Sequence, residues 1–342
     1  MKTGENTQYM VQRSAVVTHQ NTKNGGYRKE DAVVSEVIGD VETLIDKDKK
    51  LERQNVRLPD FFICGAAKSG TTSLFNYLGQ HPSIFTPEKK EPGYFSALRP
   101  LKSPSQYGQL FEEAGEYQYT GEASGAYLTS PDSALRISKA VPQANIVIML
   151  RNPADRALSL YQWMTKEGYE WVRNFEKALR VEEYRRDSVS FVEENPEYFY
   201  NFLYRTSGCY AQQVERFLEV FDQEQVWFLL FDDFVSSPAS CTKEIFRFLE
   251  VEDSIEIRTP IRNKGKSVRS APLQFWLRQH AKPASKKIPF GLRIVREVMK
   301  WNKTSEKATL SDRLRNRLLQ FYKEDLRKTS NLIGRDLISL WL

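Results

Sequence analysis

Histidine and cysteine are both scarce in this chain, with three of each among 342 residues. The cysteines are odd in number and widely separated, at Cys64, Cys209 and Cys241, and no CxxC pair occurs. A disulfide framework or a zinc site is therefore not expected, and this usage favours a reducing compartment. The shortage of histidine also leaves few candidates for any mechanism that needs a histidine base.

Long apolar runs are absent as well. No stretch of 18 apolar residues occurs, so no membrane-spanning helix is expected, and the polar residues 1–13 show no secretory signal. The predicted location is the cytoplasm. The 50 basic and 44 acidic residues leave a net charge of +6 without a dense Lys/Arg run. This balance suits an anionic ligand and gives no reason to expect a nucleic-acid partner.

The chain is expected to have three parts. Residues 1–27 are predicted to be a flexible polar tail, residues 28–57 a helical extension, and residues 58–342 the globular domain. Within the domain the predicted strands lie at 59–65, 145–150 and 225–231. Because helical segments separate these strands, the sequence predicts an α/β fold with a central, mostly parallel sheet and helices on both faces.

The turn after the first predicted strand has the composition of an anion-binding loop. Backbone N–H groups at the start of the following helix can bind an anion, and glycines allow it to approach closely. Lysine adds a charge and hydroxyl side chains add donors. The candidate binding residues are Lys68, Ser69, Gly70, Thr71, Thr72 and Ser73. A Walker A loop has lysine directly after its second glycine, but Thr71 follows Gly70 here, which argues against a kinase or ATPase.

A second candidate anion site follows the predicted strand at 145–150. Arg151 ends this strand, Pro153 suits the first turn of the next helix, and Ser159 lies about two turns along it. An arginine at the carboxyl end of a parallel strand can meet a ligand in the crevice where open α/β sheets bind. Its guanidinium can donate two hydrogen bonds to a phosphate.

Together the two motifs resemble those of sulfotransferases that use 3′-phosphoadenosine 5′-phosphosulfate (PAPS), in the branch with carbohydrate and many bacterial sulfotransferases. The resemblance implies a P-loop-like three-layer fold and PAPS as donor, with no metal required. It implies that residues 68–74 bind the 5′-phosphosulfate, that Lys68 stabilises the bridging oxygen, and that Arg151 and Ser159 hold the 3′-phosphate. The expected product of the donor is adenosine 3′,5′-bisphosphate.

Residues 87–95 resemble the family segment Lys-Glu-x-x-(Phe/Tyr)-Phe, in which the glutamate is the catalytic base. Glu91 matches that glutamate, and Lys90, which precedes it, is assigned to the substrate side. Many members have histidine where Gly93 stands here, so a histidine that assists the base is missing. Without the resemblance, Glu88 and Glu91 would both be interpreted as solvated side chains.

Three further segments resemble parts of the family's site. Glu122 and Ser124 match a segment beside the acceptor cleft, although a strand end and turn would look the same. Tyr210 matches a position near the nucleotide. Lys266 and Arg269 lie in a basic loop that resembles one closing over PAPS, and the alternative is a solvated run of charge.

The acceptor is inferred from residues 187–204, which contain acidic and aromatic side chains but no Lys or Arg. This composition predicts a small polar or cationic acceptor, such as an alkaloid-like natural product. The alternatives are a carbohydrate or glycolipid acceptor, and a lid whose aromatic side is buried. Rival functions are a nucleotide kinase and a non-catalytic nucleotide-binding protein. The one protein partner expected is a second copy of the chain, in a homodimer.

Overall fold

The structure, a computed structural model, describes residues 36–37, 40–53, 57–88, 90–98, 103–260, 267–286, 288, 290–304 and 309–342. Its central strands are β1 (Phe61–Gly65), β2 (Ile84–Phe85), β3 (Tyr119–Ala123), β4 (Asn145–Leu150) and β5 (Val226–Leu230). They form one sheet in the order β2-β3-β1-β4-β5, and every neighbouring pair is parallel. The predicted tail, residues 1–27, lies outside the described residues.

Alternate residues of the central strands are buried on opposite faces of this sheet. Phe62 and Ile148 pack in one hydrophobic cluster, whereas Phe61, Val147 and Met149 pack in the other. Strands buried on both sides are typical of parallel sheets covered by helices. The predicted α/β class, with helices on both faces, is confirmed.

The helices of the first half of the chain surround β1 to β4. They are α1 (Val41–Arg53), α2 (Thr71–Leu78), α3 (Pro104–Gly108), α4 (Ala126–Thr129), α5 (Ser133–Ala140) and α6 (Pro153–Glu167), with a 3₁₀ turn at Gln109–Ala114. Helix α2 packs with α11 (Pro238–Phe248) on one face of the sheet. Helix α6 begins with Pro153 behind an Asn152 cap, whose side chain accepts from two backbone N–H groups.

The remaining helices belong to the second half of the chain. They are α7 (Phe175–Arg186), α8 (Val189–Glu194), α9 (Tyr210–Leu218), α10 (Phe231–Ser236), α12 (Ala271–Trp276), α13 (Lys282–Ser285), α14 (Gly291–Trp301), α15 (Asp312–Ile333) and α16 (Leu337–Trp341). Short 3₁₀ turns occur at Phe199–Phe202, Thr206–Gly208 and Gln223–Gln225, and a π-helical turn at Leu277–Ala281 joins α12 to α13. Two short strands, β6 (Ser267–Val268) and β7 (Lys303–Thr304), pair antiparallel.

The helical extension before the domain is attached to it by a buried ion pair. The guanidinium of Arg136 in α5 donates to both carboxylate oxygens of Asp48 in α1, at 2.8 and 3.0 Å, and to Asp132 at 3.1 Å. Leu51 of α1 is fully buried in the core of the domain. Helix α1 is therefore part of the packed structure. Within the described ranges, every helix is either too short or too polar to cross a bilayer.

Candidate active site

The loop after β1 is held against the neighbouring strand β4. The N–H of Ala66 donates to the carbonyl of Met149 at 2.5 Å, and the N–H of Ser69 donates to the carbonyl of Ala66 at 3.0 Å. Gly70 precedes α2 with a φ of 93°, in the left-handed region that favours glycine. A Cβ there would lie 3.3 Å from side-chain atoms of Met149, Phe231 and Phe234. The turn that precedes α2 therefore requires glycine at position 70.

Lys68 lies at the tip of this loop among other cations. Its Nζ is 5.5 Å from the centre of the Trp163 ring. Burial lowers the pKa of Lys68 to about 8, helped by Lys166 and Arg151, while Glu91 acts in the opposite direction. Because neighbouring cations repel the ammonium form of Lys68, an anion that binds beside it stabilises that form.

Arg151 meets the Lys68 loop because β1 and β4 are adjacent parallel strands, and their carboxyl ends open at the same edge of the sheet. Its Nη1 donates to the carbonyl oxygen of Lys68 at 3.0 Å, and its guanidinium lies 4.4 Å from the centre of the Phe231 ring. Burial lowers its pKa from the usual value. The two predicted anion-binding segments therefore meet at the same edge of the sheet.

Tyr210, predicted to contact the nucleotide, is fully buried beneath Arg151. Its hydroxyl donates to the carbonyl of Arg151 at 2.7 Å, and its backbone N–H donates to Asp325 at 2.7 Å. Burial raises the pKa of Tyr210 to about 12, so the hydroxyl stays protonated. In this structure Tyr210 positions the end of β4 and α9. Ser159 lies half-buried on α6, two turns after its start.

The hydroxyl residues of the loop differ in exposure. The side chain of Ser69 is buried, and its Oγ has no hydrogen-bond partner among the described residues. Thr71 is buried next to Lys90, with 3.5 Å between Oγ1 and Nζ, whereas Thr72 is exposed. An unpaired buried hydroxyl is costly, and an anion oxygen would satisfy it. The loop therefore fits the phosphosulfate group of a PAPS-like donor.

The predicted base lies near this loop, where its carboxylate acts electrostatically on Lys68. Lys90 Nζ is 2.9 Å from Oε1 of Glu91, and the Glu91 side chain is about half-exposed. The backbone of Glu91 has a φ of 59°, and its N–H donates to the carbonyl of Ala123 at 3.0 Å. Glu91 is therefore anchored at the end of β3, next to the ends of β1 and β4.

Glu122 and Ser124 were predicted to contact the acceptor, but both side chains are fully buried and bonded within the protein. Ser124 Oγ donates to Glu122 at 2.7 Å and accepts from the N–H of Gly93 at 3.0 Å. The other oxygen of Glu122 accepts from Tyr107 at 2.5 Å. Burial raises the pKa of Glu122 to about 7 against these hydrogen bonds. The pair supports the loop that carries Glu91.

An aromatic cluster beside Lys68 was missed by the sequence analysis. Trp163 lies 5.9 Å from Tyr169 and 6.0 Å from Tyr198, and Tyr169 and Tyr198 lie 4.0 Å apart, all measured between ring centres. We call these three residues the aromatic wall. The sequence could have indicated this cluster, because Trp163 follows Ser159 by four residues and therefore lies on the same face of α6 as Ser159.

Most aromatic residues of the 187–204 segment lie in the core. Phe199, Phe202 and Tyr204 are buried, and the Tyr204 hydroxyl donates to Glu170 at 2.8 Å. Only Tyr198 of this segment belongs to the aromatic wall. The aromatic side of this segment is therefore mostly buried, as in the alternative, and the acceptor class stays a prediction.

The predicted closing loop is only partly described. Lys266 lies outside the described residues. Arg269 donates through Nη1 to the carbonyl of Trp301, and its guanidinium lies 5.2 Å from the centre of the Trp301 ring. These contacts direct Arg269 toward α14. The predicted contact between Arg269 and the phosphates of the donor stays a prediction, and these contacts do not support it.

A parallel sheet whose adjacent strands β1 and β4 are each followed by a turn that carries a cation is typical of α/β proteins that bind a nucleotide. The profile described as "Sulfotransferase domain" matches residues 58–329. The chain belongs to this family of PAPS-dependent sulfotransferases. A crystal structure of a sulfotransferase from Alicyclobacillus acidocaldarius has a TM-score of 0.64 and 31% identity, covering 84% of this chain and 99% of that one.

Curated relatives match a smaller part of the chain. Membrane-associated sulfotransferase kil1 of Dictyostelium discoideum is 34% identical over 116 residues, which is 32% of this chain and 24% of that protein. Bifunctional heparan sulfate N-deacetylase/N-sulfotransferase 4 of Mus musculus is 28% identical over 229 residues, which is 64% of this chain and 24% of that protein. The chain thus spans about a quarter of the length of these relatives.

Proposed function

We propose that this chain transfers the sulfuryl group of PAPS to a hydroxyl of an acceptor. The observation that carries the proposal is the hydrogen bond from Arg151 to the carbonyl of Lys68. It brings the Arg151 side chain to the Lys68 loop at the shared end of two adjacent strands, which supports a single site for a nucleotide with an anion at each end. Family membership supplies the donor, because these enzymes use PAPS.

The donor would be held at two ends. Lys68, the buried Ser69 hydroxyl and the N–H groups that begin α2 would hold the 5′-phosphosulfate. Arg151 and Ser159 would hold the 3′-phosphate. Tyr210 fixes the backbone of Arg151 from below. The bound donor supplies the sulfuryl group, and the proposal needs no metal.

We assign the proton transfer to Glu91. It is the carboxylate that acts on Lys68 electrostatically, and it lies within reach of Lys90. Sulfuryl transfer, like phosphoryl transfer, depends mainly on positioning and on stabilising charge. Glu91 would accept the proton of the acceptor hydroxyl while Lys68 stabilises the charge that develops on the departing phosphate. Ser124 and Glu122 would keep the Glu91 loop in place through Gly93.

For the acceptor we propose a small hydroxyl-bearing molecule with one apolar face. Trp163 is next to Lys68, so an acceptor packed on the aromatic wall would place its hydroxyl between Lys68 and Glu91. Glu197, which interacts with Tyr198, would add one carboxylate for a polar or cationic substituent. The cations around Lys68 oppose a strongly cationic acceptor until the anionic donor is bound.

A carbohydrate is the second candidate acceptor. It is favoured by the likeness to heparan sulfate N-deacetylase/N-sulfotransferases over 57–64% of this chain. A mass-spectrometric screen of hydroxyl-bearing small molecules and of oligosaccharides with PAPS would separate the candidates by a mass increase of one sulfuryl group.

The replacement Glu91→Gln tests the chemistry. Loss of a general base should lower kcat by roughly 10²–10⁴-fold, while the protein still binds adenosine 3′,5′-bisphosphate, since Glu91 is assigned to the acceptor hydroxyl. Glu88→Gln is the matched control, because Glu88 is exposed in the same segment. It should retain the parent kcat. A Glu91→Gln enzyme with parent kcat would refute the assignment of the base. Turnover that requires Mg²⁺ and a nucleoside triphosphate would instead support the kinase alternative.

A further inference from the structure

The segment from Trp276 to Trp301 exposes an unusual amount of apolar side chain. Phe290 is 78% exposed, Ile294 63%, Trp301 62%, Ile288 60% and Trp276 55%. They account for five of the 14 large hydrophobic residues that are exposed in the described part of the chain. A soluble surface seldom groups such residues without a partner.

The apolar residues of α14 lie beside a row of cations. Ile294 and Trp301 are seven residues apart and so lie one above the other, and Arg293 and Lys300 form the adjacent row. Arg296 is exposed next to these. One acid interrupts the surface, Glu297, whose carboxylate is 3.9 Å from Lys300. We call this surface, together with Phe290 immediately before the helix, the α14 face.

The wider segment has the same charge. From 276 to 304 the sequence contains eight Lys or Arg residues and one acidic residue. The chain as a whole has 50 basic and 44 acidic residues, so the excess is concentrated here. An amphipathic helix with aromatic and aliphatic residues bordered by Lys and Arg is typical of segments that lie in a membrane interface.

The α14 face is held rigidly by buried polar contacts. Asn302, fully buried at the end of α14, donates to the carbonyl of Ser270 at 2.8 Å and to Gln274 at 3.0 Å, and its oxygen accepts from the N–H of Ser270 at 3.0 Å. At the other end, a Cβ on Gly291 would lie 2.8 Å from the carbonyl of Ser285. The backbone of α14 is therefore fixed at both ends, so binding requires no ordering of the helix itself.

This segment is also connected to the candidate active site. Gln274 donates to the carbonyl of Lys166 at 2.9 Å, and Arg278 donates to the carbonyl of Glu167 at 3.0 Å. The Arg278 guanidinium also lies 3.8 Å from the centre of the Tyr169 ring, in the aromatic wall. The segment that carries the α14 face is thus bonded directly to residues next to the proposed acceptor side of the site.

We propose that the α14 face docks on an anionic lipid bilayer, with its apolar row in the interface and its cations on the headgroups. Charge decides between this partner and a second copy of the chain. A two-fold dimer would bring two faces of the same net positive charge together, whereas anionic headgroups complement them. The proposal does not depend on the proposed function, because it concerns binding alone.

Co-sedimentation of the full chain with lipid vesicles tests the proposal. The chain should bind vesicles of phosphatidylcholine and phosphatidylserine, and binding should weaken with salt and be nearly lost on phosphatidylcholine alone. Replacing Arg293, Arg296 and Lys300 with glutamine should weaken binding on the order of a hundredfold, from about fivefold per charge. Phe290→Ser with Ile294→Ser should weaken it at least about tenfold.

The matched charge control is the glutamine triple variant of Lys323, Arg327 and Lys328, which are exposed on α15. It should bind the vesicles like the parent. Equal losses in both triple variants would show attraction by net charge alone and overturn the proposal. A lack of binding to anionic vesicles would also overturn it. So would a parent protein that is a dimer in light scattering and binds no vesicles, if Phe290→Ser with Ile294→Ser converts that dimer to a monomer. Circular dichroism of each variant checks that the fold is retained.

Discussion

The pKa of Lys68 predicts how nucleotide binding should depend on pH. In the free protein this pKa is about 8, lowered first by burial and then by Lys166 and Arg151. The ammonium form is the one that binds an anion, so affinity should be constant well below pH 8 and fall as pH rises through it. At about pH 9 roughly one chain in ten would carry the charge, because each pH unit above the pKa reduces the charged fraction about tenfold.

Titration calorimetry with adenosine 3′,5′-bisphosphate would measure the effect. We expect Kd to rise about tenfold between about pH 7 and pH 9, with a proton taken up on binding near pH 8. The phosphates keep their charge over this range, since the second pKa of a phosphate monoester is about 6. Lys68→Arg, charged throughout, should bind independently of pH, and Lys68→Met should bind weakly at every pH.

Two results would refute this reasoning. One is a parent protein whose Kd does not change between about pH 7 and pH 9. The other is a Lys68→Met protein that keeps the parent's dependence on pH, because the titrating group would then be another residue.

Two further predictions concern stability and are measured by urea unfolding. Arg136→Met should lower the free energy of unfolding by about 3–5 kcal/mol, because Asp48 and Asp132 would be left buried without their cation; unchanged stability would show that α1 contributes little. Gly121→Ala should cost about 1–3 kcal/mol, since a Cβ would lie 2.0 Å from the Phe61 ring. Phe61→Leu should recover part of that loss in the double variant, and purely additive effects would contradict this explanation.

The parts of the fold that the sequence predicted well are those with a strong local signal. Residues 146–150 form a continuous apolar run that ends before Arg151, and the strand and the helix after it were both located correctly. The turn at Lys68 was located by its glycines and hydroxyls. Since both motifs follow parallel strands, their meeting at one edge of the sheet followed from the fold class.

The remaining features depend on contacts that are distant in the sequence. Strand β2 has two residues, too few for any periodicity, and exists only through pairing with β3. The side chains of Glu122 and Ser124 look like site residues in sequence, yet their environment is set by Tyr107 and Gly93. Aromatic residues in a polar segment likewise do not reveal whether they face the core or a ligand, so the sequence left both interpretations of residues 187–204 open.

The contact between Arg151 and the carbonyl of Lys68 has a consequence for how nucleotide fragments should cooperate. Whatever orders the guanidinium also steadies the turn that receives the opposite end of the molecule, and the reverse holds by thermodynamic linkage. Adenosine 3′-monophosphate in the crevice should therefore improve the capture of a small free oxyanion at the turn. A protein that binds its donor in this manner should bind a nucleotide with both anionic groups more tightly than the two groups would suggest separately. It should therefore discriminate against a nucleotide that carries only one of them.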